Sequence, residues 1–288
     1  MMVNWRYALV LRTLLAGNRG ALAGFVGLVV FVVIAVLGPW VVPLDMTPRY
    51  QQRFQPPSMS HVLGTDYAGR DIAQQMVAGT GDILLIAFST GLFATLLALL
   101  IGMAAGLGGK RTDALLTGVI DIFLTVPNFP IMAIFAALFQ IRNPIQFGFV
   151  LSLWAWPPLA RAIRSQVLTL KRREFVEVAN VMAMGWTSVV CGELLPNMMP
   201  FVTINFITMA KNAITASAGI MLLGLVPLRV QNWGMMLNLA VFQSGAIYIP
   251  HAYTYVLAPM LAIVLFQYCL VRFASGIDEI FDPRLRAW

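Results

Sequence analysis

The sequence predicts an all-α, polytopic membrane protein with six transmembrane helices, and three observations carry that prediction. Apolar residues fill 59% of the 288 positions and charged residues only 11%, against about 25% charged in a soluble domain, and mean hydropathy is +0.81. The charges cluster, which leaves apolar runs as long as the ~20 residues a helix needs to cross a bilayer. No series of short segments alternates at period two, so the closed barrel, the other structure that satisfies its backbone in lipid, finds no support.

The runs fall at 21–42, 83–107, 114–139, 146–163, 198–225 and 252–275. The first follows Arg6, Arg12 and Arg19 as in a signal peptide. It is longer than the about 7–15 apolar residues of such a peptide and lacks a small-residue cleavage site, so it reads as a retained anchor. Residues 1–20 then form a cytoplasmic N-terminal segment, 43–82 a polar, proline-bearing outer loop, 83–275 a core of five spans, and 276–288 a cytoplasmic tail. Basic residues set this orientation. They gather in the N-terminal segment, at Lys110 and Arg111, from Arg161 to Arg173, and at Arg272, Arg284 and Arg286, whereas the outer segments hold only Arg49, Arg53, Arg70, Arg142 and Arg229. The net charge of +7 is thus a mark of topology, and no basic run interleaved with aromatics suggests nucleic acid. Cys191 and Cys269 fall in a cytoplasmic loop and a span, which argues against a disulfide.

The cytoplasmic stretch 164–197 is long for a loop inside a compact protein, and loops that long usually have a function. From Glu174 to Met184 it has helical spacing, with Val178, Val181 and Met182 on one face and Glu174 and Glu177 on another. Gly185 offers a C-terminal stop, and Pro196 a break before the fifth span. Residues alone leave two readings equal: an interfacial anchor on lipid, or a helix docking into a partner's groove.

This stretch resembles the EAA loop of binding-protein-dependent ABC importer permeases. Glu177, Ala179, Leu195 and Pro196 fall in register with that pattern, while Ala183 stands at its glycine and Gly185 two residues later. A second segment, LGTDYAGRD at 63–71, reads bottom-up as a polar loop with turn glycines. It resembles the outer motif of the peptide, nickel and oligosaccharide branch through Gly64, Thr65, Asp66, Gly69, Arg70 and Asp71. Further likeness lies at Trp154–Ser165, Leu223–Leu225, Trp233–Met236 and Phe281–Leu285, and the long first outer loop resembles that of the second permease subunit of such systems.

The resemblance implies a type I ABC importer permease fold with a cytoplasmic coupling helix, in the cell inner membrane. It implies a heterodimer with a second permease, two ATPase subunits below that hold the ATP and Mg, and an extracytoplasmic solute-binding protein above. The solute would be a peptide, an oligosaccharide or a metal chelate. The chain itself would have no catalytic residue, bind no cofactor or metal, contact lipid and not nucleic acid, and couple to the ATPase through Glu174, Glu177, Ala179, Ala183, Gly185, Leu195 and Pro196. The rival readings are a secondary transporter, though no inverted repeat is evident, and a membrane-embedded enzyme, which needs a nucleophile and base or paired carboxylates at membrane depth.

Other signals are weaker. The glycine-rich run 102–110 ends in lysine but has Ala104 and Arg111 where a phosphate-binding loop needs Gly and Ser or Thr. Gly102, Gly106 and Gly108 read instead as helix-packing positions. His61 and His251 lack metal-ligand spacing. Asp121 and Lys211 are intramembrane charges, which face a cavity or a partner; a structural pair or interface weighs at least as much as substrate contact for each. Lys211 lies ~20 Å into the fifth span and Asp121 only ~10 Å into the third from the same side, so the two meet only with a favourable tilt.

Overall fold

A computed structural model describes residues 18–139, 141–173, 182, 185–226 and 228–281. Their regular elements are helices: α1 (Arg19–Val41), α2 (Ile72–Leu107), α3 (Lys110–Thr125), α4 (Asn128–Leu138), α5 (Pro144–Ala155), α6 (Pro157–Leu170), α7 (Leu195–Leu222), α8 (Trp233–Asn238) and α9 (Tyr253–Phe281). Four helical stretches, Arg19–Val41, Ile72–Leu107, Val190–Leu222 and Pro250–Glu279, are long and apolar enough to cross a membrane. The pair α3 and α4 makes a fifth if it counts as one span, bent by 87°.

The sequence expects six spans, and the difference lies in the third and fourth apolar runs. The third is broken at Val126 and Pro127, both extended, because a residue preceding proline is driven out of the helical region. The fourth is divided at Trp156, where α6 starts on Pro157 and Pro158, the positions at which proline's missing N–H costs nothing. That leaves α5 with 12 residues, ~18 Å of helix against a ~30 Å hydrocarbon core.

The fifth run behaves in the opposite way. The helical turn Trp186–Val189 passes through a π-helical segment, Val190–Leu194, straight into α7, with Leu195 N–H donating to Val190 O. Pro196 therefore does not break the chain. Its absent donor falls in the first turn of α7, just past the π segment, where the hydrogen-bond register is already changing, and the Asn197 carboxamide donates to Glu193 O at 2.7 Å.

At the centre stands α2, whose 36 residues span ~54 Å, well over the ~30 Å hydrocarbon core. Small residues let its neighbours approach. A Cβ on Gly102 would lie 2.6 Å from Ala160 O and one on Gly106 2.8 Å from Val167 Cβ, both on α6. Gly91 meets Phe206 of α7 at 3.0 Å. The packing role expected of the three glycines thus holds at 102 and 106. Gly108 instead ends α2 and faces its own Ala104 O and Thr112. The same close approach joins α1 to α9, where a Cβ on Gly24 would lie 2.6 Å from Phe273 N and the Phe31 and Phe266 rings are 4.9 Å apart.

Candidate coupling end and translocation face

The motif at 63–71 is a clamp on the start of α2. Asp66 is fully buried and its carboxylate accepts from the backbone N–H groups of Ala68 (2.8 Å) and Arg70 (2.9 Å), from Arg70 Nε (2.8 Å) and from Gln75 Nε2 (3.0 Å). Arg70 is 8% exposed, so the ion pair is shielded from water. Thr65 Oγ1 donates to Gln52 O and accepts from Gln55 N. Asp71 caps α2 through Gln74 N and pairs with His61 Nδ1 at 2.8 Å. Gly64 and Gly69 have φ of +77° and +76°, where only glycine is free of strain, and the Arg49 carbonyl crosses so close to Gly69 that no Cβ fits. Beside the clamp, Trp233 Nε1 donates to Met76 O at 3.0 Å and Asn238 Nδ2 to Leu222 O at 2.8 Å. Residues 233–238 thereby fasten the start of α2 and the end of α7.

At the opposite end, Glu174, Glu177, Ala179 and Ala183 lie outside the described residues. The Gly185 carbonyl accepts from Ser188 and Val189 N–H, so Gly185 opens the next helical turn. From there the chain enters the protein. Val189 and Leu194 are fully buried and pack on Leu107, at the end of α2, and Leu170, at the end of α6, with Leu195 and Pro196 following at the start of α7. Polar contacts fasten the same helix ends. Asp113 of α3 receives Arg164 of α6 through Nε at 2.5 Å and Nη2 at 2.7 Å, and Lys171 Nζ donates to Gly106 O at 3.2 Å. The sequence gives Arg164 and Lys171 only as orientation charges, because nothing in their spacing names Asp113, 51 residues away.

At membrane depth the two singled-out charges part company. Asp121 pairs with Arg161 of α6, both about half exposed, and not with Lys211. Lys211 is half-buried on α7 and has no ion-pair partner among the described residues. It shares the open face of α7 with Thr208, Asn212 and Thr215, whereas Ile207, Ile214 and Met221 are buried on the other side. Gln267 of α9 extends this polar stripe by donating to Thr215 Oγ1 at 3.0 Å. A polar stripe with a cation at this depth suits a water-filled cavity or a protein interface and not acyl chains.

Residues 98–287 match the family model described as the binding-protein-dependent transport system inner membrane component. The chain belongs to this family. Residues 6–57 of the permease also match the N-terminal TM domain of oligopeptide transport permease C. A protein of Brucella suis named as a peptide permease is 33% identical over 230 residues, which cover 79% of this permease and 74% of that relative. The di/tripeptide transport system permease protein DppC of Pseudomonas aeruginosa is 28% identical over 281 residues, 94% of this permease and 90% of its own chain. Among solved structures, a chain of the MetNI methionine ABC transporter superposes with a TM-score of 0.55 over 70% of the permease and 96% of that chain, at 16% identity. That likeness is one of fold: an all-helical permease of the type I importer architecture. The permease is a multi-pass component of the inner membrane and a transport subunit of an ABC importer, with no enzymatic role of its own.

Proposed function

We propose that this permease is the second of the two membrane subunits through which an ATP-driven importer takes up peptides. The observation that carries the reading is its likeness, along 94% of its length, to a protein named for di/tripeptide transport. It works with a different permease chain, two ATPase subunits that bind the ATP and Mg, and an extracytoplasmic solute-binding protein. Both termini lie in the cytoplasm, and six passes follow if the bent α3–α4 pair and the divided α5–α6 pair each cross. The stretch containing Glu174, Glu177, Ala179, Ala183 and Gly185 docks on the ATPase, and Leu195 and Pro196 pass its movement into α7. ATP favours one state of the assembly by binding it more tightly, and the helices move as rigid bodies. The clamp of Gly64, Thr65, Asp66, Gly69, Arg70 and Asp71 holds the outer end still.

Lys211 faces the path between the permeases. An ammonium in acyl chains costs at least about 2.5 kcal/mol on insertion scales, and Lys211 stands 11 residues before the end of α7, ~16 Å of helix and too deep to snorkel.

The assembled transporter in proteoliposomes is expected to accumulate labelled di- and tripeptides in an ATP-dependent way. Uptake of an oligosaccharide or nickel chelate, with peptides ignored, overturns the peptide assignment. In the same assay Lys211→Met should express near the parent level and change uptake or basal ATPase rate, and parental transport would remove its role. A cysteine at Arg53 should react with an impermeant thiol reagent from outside and one at Lys171 should not; the reverse pattern inverts the orientation.

A further inference from the structure

Beside the 87° bend between α3 and α4, the packing of α2, α4, α5 and α7 leaves a cavity of about 260 Å³. Met132, Leu151 and Met209 form apolar walls, Asn128 and Asn212 stand at the open rim, and Thr90 lies inside. Phe129 closes one side by lying over Gly219 of α7, where a Cβ would come within 3.1 Å of its ring. Among the described residues no charged side chain lines the space.

Two observations indicate what enters it. Thr90 is 1% exposed, and its hydroxyl has no hydrogen-bond partner among the described residues. A helical threonine ordinarily returns its hydroxyl to the carbonyl one turn back, as Thr80, Thr203 and Thr208 do here. A buried polar group left unpaired is a group awaiting a partner. The second observation is where the mouth opens. Asn212 is exposed on the polar face of α7 that also carries Thr208, Lys211 and Thr215, so part of the rim belongs to that face, with Asn128, Phe129 and Pro158 exposed around the rest.

We propose that this cavity is a binding site for the peptide in transit, taking one apolar side chain against Met132, Leu151 and Met209 while Thr90, Asn128 and Asn212 hydrogen-bond its amide groups. The inference rests on the peptide reading above. The volume lies just below the about 300–1,000 Å³ of sites that hold a whole drug-sized ligand, which suits one large side chain and not a complete tripeptide. The neutral lining gives selectivity of its own, because a charged side chain would be buried there without a counter-charge. A preference of this kind adds to that of the solute-binding protein, and the two separate when only the permease is changed.

The experiment uses the complete transporter in proteoliposomes, with dileucine and dialanine as labelled probes. Ala216, which also lines the cavity, is changed to Leu to fill it. The ratio of dileucine to dialanine uptake is expected to fall at least about tenfold, the discrimination typical of a pocket that loses room for a few methylenes. An unchanged ratio, whether both peptides are transported normally or both are lost together, overturns the site. Failure of the parent transporter to take up either peptide, with another solute carried instead, sinks the peptide reading itself and the site with it. Should Ala216→Leu fail to assemble, Ala216→Cys in a Cys191→Ser background gives a second measurement. Dileucine should slow its reaction with a small thiol reagent, and labelling that responds to lipid chain length but to neither peptide would assign the cavity to an acyl chain and overturn the proposal.

Discussion

Asp66→Ala is expected to destabilise the permease by about 3–5 kcal/mol, the usual cost of removing one partner of a buried ion pair. The carboxylate is fully buried and collects four hydrogen bonds, two from backbone and two from side chains. Without it the Arg70 guanidinium stays in a site with 8% exposure and no counter-charge, and the Ala68 and Arg70 N–H groups lose their acceptor. The outer loop should then detach from the start of α2. Thermal unfolding in detergent should shift down, and protease should cleave between residues 43 and 71 under conditions in which the parent is resistant. The double variant Asp66→Ala/Arg70→Met should recover much of the loss, because it leaves no unpaired charge. A single variant that melts with the parent and keeps its loop intact would show that the clamp contributes nothing to stability.

Much of the fold is legible in the sequence for a simple physical reason. A run of about 20 apolar residues has few stable solutions in lipid, so the runs at 21–42, 83–107 and 252–275 become α1, the C-terminal part of α2, and α9. The breaks that the sequence does not announce come from prolines read by composition and not by position. Pro127 and Pro157 lie inside apolar runs, and hydropathy averages over them although each ends a helix. Pro196 is the converse, expected to break the chain before the fifth span and accommodated by a π segment that no local pattern announces.

The candidate site divides in the same way. Gly64 and Gly69 belong to one short segment whose turn chemistry is local, so their left-handed conformations follow from sequence. Asp121 is local too, but its partner Arg161 is 40 residues away on another helix, and depth in a span does not reveal which helix is adjacent. The cavity around Thr90 draws its walls from several helices, and periodicity within one helix cannot assemble it.

Glu177→Lys is expected to insert normally and to weaken the ATPase's hold on the permease at least about thirtyfold. Reversing one charge of a buried, hydrogen-bonded contact across an interface costs about 2–5 kcal/mol, and each 1.4 kcal/mol is about tenfold in affinity. The stretch containing Glu177 leads into Gly185 and on to Val189 and Leu194, which pack on Leu107 and Leu170 at the ends of α2 and α6. A force that reaches Val189 and Leu194 therefore passes through packed side chains into the central helix and into α7. If the stretch instead lay on the anionic cytoplasmic leaflet, an added lysine would strengthen its attachment by about 1 kcal/mol, and ATPase recovery would not change. Co-purification of the ATPase with parent and variant separates the two. Loss of the ATPase, with permease expression intact and uptake abolished, supports docking. Parental co-purification with parental uptake would remove Glu177 from the coupling contact and leave the lipid-anchored helix as the reading of this stretch.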